Sequence, residues 1–151
     1  MLLLNRQHSY GITLLELVTV ILIIGIIAAV AYPSYIDTVR KGRRADAVTS
    51  LLKLQIDQEQ WRANHSEYTS QLAGDGCGSA QATGLCWGSD EILRRYYRIA
   101  INEGTVKSTG FMATASARPG TDQINDQCQL IVITQDGPDL AASSFPFCWN
   151  H

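Results

Sequence analysis

"GITLLELVTVILIIGIIAAVAYPSY", residues 11 to 35, decides the fold, because it sets a single carboxylate, Glu16, near the start of an otherwise unbroken apolar run. From Ile12 to Ala31 the only non-apolar residues are Thr13, Glu16, Thr19 and Gly25. A helix of that length spans roughly 30 Å, the thickness of a bilayer's hydrocarbon core. Arg6 aside, every other charged residue lies beyond residue 36, so the 151-residue chain has an oily beginning and a polar remainder. This distribution predicts that the chain starts in a membrane.

A secretory signal would carry an apolar core of roughly 7 to 15 residues before a small-x-small cleavage site. Ala29-Val30-Ala31 offers such a site, but the run is too long, and an acid inside it carries a penalty that a discarded segment has no need to bear. A plain anchor would use Glu16 only to complement the helix macrodipole, worth about 0.3 to 1 kcal/mol. Neither reading needs the remaining pattern. That pattern is a short leader, MLLLNRQHSYG, ending in Gly11, with Thr13 and Glu16 at the second and fifth places after it and Pro33 just past the run.

With these residues together the chain resembles the type IV pilins. The resemblance implies that prepilin peptidase cuts between Gly11 and Ile12 on the cytoplasmic side, and that Ile12 becomes an N-methylated amino terminus. Phe is usual at that first mature place, and Ile12 departs from it. The cut would create an ammonium close to Glu16. In a bundle of apolar helices an unpaired carboxylate is desolvated, and a neighbouring subunit's amino terminus relieves both charges. Thr13 and Glu16 are therefore expected to serve subunit assembly.

The formal charge of −2 is too small for long-range attraction of nucleic acid, so any electrostatic partner must be met by a local patch. Arg40, Lys41, Arg43 and Arg44 outnumber the leader's basic residues, and by the positive-inside count they place the polar part in the cytoplasm. The cysteines argue the reverse. Cys77, Cys86, Cys128 and Cys148 all lie in the polar part, match no zinc spacing, and predict two disulfides made in an oxidising compartment. Of the three possible pairings, proximity favours Cys77 with Cys86 and Cys128 with Cys148, in loops worth on the order of 3 kcal/mol each. The basic cluster reads as a solvated helix face, or more sharply as a contact with lipid headgroups or acidic groups of adjacent subunits.

After Pro33, Ala45, Val48, Leu51, Leu52 and Ile56 recur on one face at helical spacing. They predict one helix from Ile12 to about Asn64, roughly 80 Å long, with Gly25, Pro33 and Gly42 as weak points. Ser66 to Asp90 reads as a surface loop held by the Cys77–Cys86 bridge. Strand character over Tyr96 to Ile101, Phe111 to Ala117 and Cys128 to Thr134 predicts an antiparallel sheet against the helix. The expected fold is α+β, with residues 1–11 as leader, 12–34 as the transmembrane and assembly half of the helix, and 35–151 as a periplasmic globular domain. The resemblance implies an exposed, disulfide-bracketed C-terminal edge. "CQLIVITQDG" followed by a terminal "CW" is most like the minor pilins of the PilE type.

Arg94-Arg95-Tyr96-Tyr97-Arg98 interleaves bases with aromatics, and strand alternation would put Arg94, Tyr96 and Arg98 on one face as a patch for single-stranded nucleic acid or another polyanion. A merely soluble outer face is the plainer reading. Asp122, Asn125 and Asp126 lack the order of a calcium loop and read as a turn. Trp61, Trp87 and Trp149 read as packing residues. His8, His65 and His151 are scattered, and no catalytic triad, phosphate loop or carboxylate pair is found, so neither an enzyme nor a metal or cofactor is expected.

The expected role is a minor pilus subunit that primes or enters the filament. Its partners would be other pilin subunits, the assembly machinery, prepilin peptidase and the inner membrane before export into the pilus. A type II secretion pseudopilin, or a pilus-displayed receptor for DNA or another ligand, is the alternative.

Overall fold

Thr13 starts the first helix, because its Oγ1 accepts the Glu16 N–H at 3.2 Å while its carbonyl accepts the Leu17 N–H at 3.1 Å. Thr13 and Glu16 thus occupy the N-cap and third helical places, the spacing of a capping box. The helix, α1, runs from Leu14–Asn64 through Pro33 in the computed structural model, which describes residues 12–73, 84–87 and 95–149. The chain divides into two units, Met1–Asp37 and Thr38–His151.

In the first unit every large apolar side chain from Ile12 to Val30 is exposed. This part of α1 is long and apolar enough to cross a membrane, with a mean hydropathy of 2.8 over its most apolar stretch.

In the second unit α1 contributes Ala47, Val48, Leu51 and Leu54 to a single apolar core. The buried face differs from the expected one, since Leu52 and Ile56 point outward and are exposed. A polar residue takes their place. Gln58 is fully buried, and its carboxamide both donates to the Thr69 carbonyl at 2.6 Å and accepts the Thr69 N–H at 3.1 Å. A hydrophobic pattern cannot count a glutamine whose polar atoms are satisfied by backbone 11 residues away.

The core's other wall is a four-stranded antiparallel sheet, β3 (Tyr97–Ile101), β4 (Met112–Ala117), β5 (Leu130–Thr134) and β6 (Gly137–Pro138), paired in that order. Ala113, Ala115 and Ala117 form the inner face of β4 between the bulkier Tyr97, Ile101, Ile131 and Ile133. β5 turns into β6 through Gln135-Asp136, where Gly137 has a φ of +111° that side chains rarely adopt. Within the expected loop, β1 (Leu72–Ala73) and β2 (Leu85–Cys86) form a short parallel pair that sequence patterning did not indicate. Cys77 lies outside the described residues, so its expected bridge to Cys86 does too. Cys128 and Cys148 are joined, both fully buried.

Candidate functional site

The N-terminal segment keeps Ile12, Thr13 and Glu16 together at the start of α1, all exposed. Gly11 lies outside the described residues. Glu16 therefore sits on an apolar helix at its positive end, where the macrodipole favours a carboxylate but no side chain among the described residues pairs with it as an ion.

The expected Arg94, Tyr96 and Arg98 patch takes a different form. Arg94 lies outside the described residues, and the strand begins only at Tyr97, so Tyr96 does not share a strand face with Arg98. The Tyr96 ring is half-buried and carries the Arg43 guanidinium 3.7 Å from its centroid, with that of Arg95 at 5.8 Å. A cation over an aromatic face at this range is attracted by the ring quadrupole. Tyr96 is a support for arginines and not a free stacking surface.

Register supplies the partner that Arg98 lacks in its own strand. Arg98 faces Ser116 across the β3–β4 ladder, and just past the strand ends the Arg118 N–H donates to the Tyr96 carbonyl at 2.9 Å, which brings Arg118 back beside the start of β3. The backbone there is rigid. Arg118 opens the Arg118-Pro119-Gly120-Thr121 turn, where Gly120 has a φ of +80° and the Arg118 carbonyl accepts both the N–H and the hydroxyl of Thr121, at 3.3 and 2.8 Å. The Ser116 hydroxyl donates to the Arg98 carbonyl at 3.3 Å. Arg95, Arg98 and Arg118 are all exposed, and none has an acidic partner among the described residues. Sequence reasoning missed Arg118. The only available signal was that pairing two successive strands brings the end of β4 back beside the start of β3.

Two arginines of the basic cluster on α1, Arg40 and Arg44, bind the protein's own turn, so they are not merely a solvated face. Arg40 Nε and Nη2 donate to the two Asp122 carboxylate oxygens at 3.0 and 2.7 Å, and this guanidinium holds the Asp122 carboxyl below its ordinary value. One helical turn on, Arg44 Nη2 donates to both oxygens of Asp126 at 2.9 Å, with the two side chains 11% and 3% exposed. Asp122, Asn125 and Asp126, weighed above as a calcium loop, thus form the turn that docks on α1, with Asn125 donating to Asp122 at 3.4 Å.

Residues 139–149 run beside β5 as a strap. The Asp139 N–H donates to the Val132 carbonyl at 2.9 Å and the Ser144 N–H to the Leu130 carbonyl at 2.8 Å. In return, the hydroxyls of Ser143 and Ser144 accept the N–H groups of Val132 and Leu130 at 3.0 and 2.8 Å. Trp149 packs on the core and Cys148 closes the strap. The edge of the sheet is covered by side-chain mimicry of a strand.

Residues 33–132 match the family model described as type IV minor pilin ComP, DNA uptake sequence receptor, and residues 6–32 match the prokaryotic N-terminal methylation motif. A relative, the type II secretion system core protein G of Klebsiella michiganensis, is 30% identical over 70 residues, or 46% of this chain. The match covers 49% of that protein's length, so the chain spans about half of it. No solved structure matches the chain at a significant level.

Proposed function

The chain belongs to the family of the type IV minor pilin ComP, and from that premise we propose that it is a filament subunit whose globular domain holds DNA at the arginine corner. The observation that carries the DNA reading is the placement of Arg95, Arg98 and Arg118 on fixed backbone, exposed and without acidic partners among the described residues, in a chain whose net charge is −2. Arginine presents a planar fork of donors that fits phosphate oxygens, and contacts of this kind supply most sequence-independent affinity for DNA. The uncharged Thr114 and Ser116 on the same outer face let a duplex approach without repulsion.

Assembly is the work of the first unit. In our reading residues 1–11 are a leader removed by prepilin peptidase, Ile12 becomes the N-methylated terminus, and the helix over 12–34 waits in the inner membrane with the 35–151 domain in the periplasm. Export into the pilus leaves the apolar helices no cover but each other, so they bundle. Glu16 then pairs with a neighbouring subunit's amino terminus and selects the stagger. A pseudopilin role is the second reading, favoured by the match to the secretion protein; co-purification with pilus or secretion components separates the two.

The DNA reading is tested by titrating a duplex into the full-length protein in detergent. Affinity should fall steeply as salt rises, and Arg98→Ala with Arg118→Ala should cost at least tenfold and lower the slope of log affinity against log salt by about 2. An unchanged affinity and slope would remove the corner from the account.

A further inference from the structure

The docking turn leaves one arginine of the α1 cluster unclaimed. Arg40 and Arg44 are held by Asp122 and Asp126, whereas the Arg43 guanidinium lies over the Tyr96 ring, 3.7 Å from its centroid. Asp122 feels the charge of Arg43, but both its carboxylate oxygens are already taken by Arg40. Among the described residues the Arg43 side chain has no ion pair, and its Nη1 is buried without an acceptor. A ring face attracts a cation but offers no oxygen to its N–H groups. A charged donor short of an acceptor is costly to a fold, and this one has a reason to be kept.

Tyr96 supplies that reason, because its place in the fold is fixed and arginines converge on it. Its carbonyl accepts the Arg118 N–H at 2.9 Å, and the next residue, Tyr97, is locked in the core by its hydroxyl bond to the Cys128 carbonyl at 2.8 Å. The Tyr96 ring is half-buried against the core and has the Arg95 guanidinium 5.8 Å from its centroid, besides that of Arg43. One residue thus ties together Arg43 of α1, Arg95 just before β3 and Arg118 just after β4, with Arg98 two places along the strand. None of these four has a carboxylate ion pair among the described residues. Like charges gathered so closely repel one another until a polyanion neutralises them.

We propose that Arg43, positioned by the Tyr96 ring, is a further DNA-binding residue, so that the phosphate backbone held at the arginine corner continues onto α1. This rests on the DNA reading above and adds to it a residue carried by the helix. Arg43 is only half-buried, and so within reach of a ligand. Tyr96 acts through Arg43 and is a positioning residue. The ring face holds the cation, so the phenol hydroxyl is dispensable.

The test is titration of a duplex into the full-length protein in detergent across a series of salt concentrations. Arg43→Gln should weaken binding about fivefold at roughly 0.1 M salt and lower the slope of log affinity against log salt by about 1. Tyr96→Leu should do at least as much, Tyr96→Phe should keep the unaltered affinity and slope, and Arg43→Gln added to Tyr96→Leu should cost nothing more. A residue that merely supported the fold would lower the melting temperature and leave the slope intact. An unchanged slope in Arg43→Gln, where Arg98→Ala with Arg118→Ala lowers it, overturns this proposal alone; a loss in Tyr96→Phe equal to that in Tyr96→Leu overturns the positioning by the ring. Should the Arg98→Ala with Arg118→Ala chain bind as the unaltered one does, or the unaltered one not bind at all, the DNA reading falls and the part of Arg43 with it.

Discussion

The Tyr97 hydroxyl donates to the Cys128 carbonyl at 2.8 Å and accepts from the Gln123 amide at 3.1 Å, inside a core where the residue is 1% exposed. Burial raises its phenol to about 12 from the ordinary 10.0. The folded form therefore holds the proton more tightly than the unfolded chain. Its contribution is complete below pH 10 and is lost as pH rises toward 12, by about 3 kcal/mol in all. Tyr97→Phe removes the donor to the Cys128 carbonyl and leaves the Gln123 amide only its bond to the Arg40 carbonyl, so denaturant unfolding should show a loss of about 1 to 3 kcal/mol at neutral pH and a shallower alkaline decline. The inward direction of Tyr97 was legible from strand alternation. Its partners, 31 and 26 residues away, were not, because a long-range hydrogen bond leaves no periodic trace. The same holds for Arg118 beside Arg98, a neighbour created only by register.

Among the elements, α1 was the most legible, since an unbroken apolar run followed by helical spacing leaves little alternative. Its buried face was less so, for the reason Gln58 gives. The turn at Asp122–Asn125 was legible as a turn, but its docking on α1 and the strap over 139–149 were opaque, because charged and hydroxyl side chains do there what backbone does elsewhere. The Arg44–Asp126 pair is nearly buried, so Arg44→Met should cost about 3 to 5 kcal/mol by stranding the carboxylate. Adding Asp126→Asn should recover a large part of that, since asparagine is neutral and can still accept the Cys128 N–H, now held by Asp126 Oδ1 at 2.6 Å. A double-mutant cycle in urea measures both. Arg40–Asp122 matters less, because Asp122 is exposed, and its contribution fades only as acidification passes below the ordinary carboxylate range. In the strap, the Ser143 hydroxyl donates to the Asp139 carbonyl at 2.6 Å and accepts from Val132 at 3.0 Å and Trp149 at 3.1 Å. Ser143→Ala should cost about 2 kcal/mol and speed hydrogen exchange at the Val132 amide.

At the scale of the whole molecule, a short apolar segment near the N-terminus, long enough to cross a membrane, precedes a much longer polar part with a core of its own. Their chemistry is divided accordingly. The apolar helix carries one carboxylate, placed where the helix dipole already favours it, while in the folded domain Arg40, Arg44 and Arg43 are held by Asp122, Asp126 and Tyr96, and Arg98 and Arg118 have no acidic partner among the described residues. Composition revealed this division, and the leader pattern around Gly11 pointed to the family, whereas the exposure of the stacked Phe145–Phe147 pair needed the three-dimensional structure to be seen. The account turns on Glu16 being tolerated in a helical bundle only through a neighbour's amino terminus. Quantitative mass spectrometry of sheared filaments from cells producing equal amounts of the unaltered and Glu16→Ala chains tests this most directly. The account predicts at least a tenfold excess of the unaltered chain, beginning at N-methylated Ile12; equal incorporation of the two would contradict it.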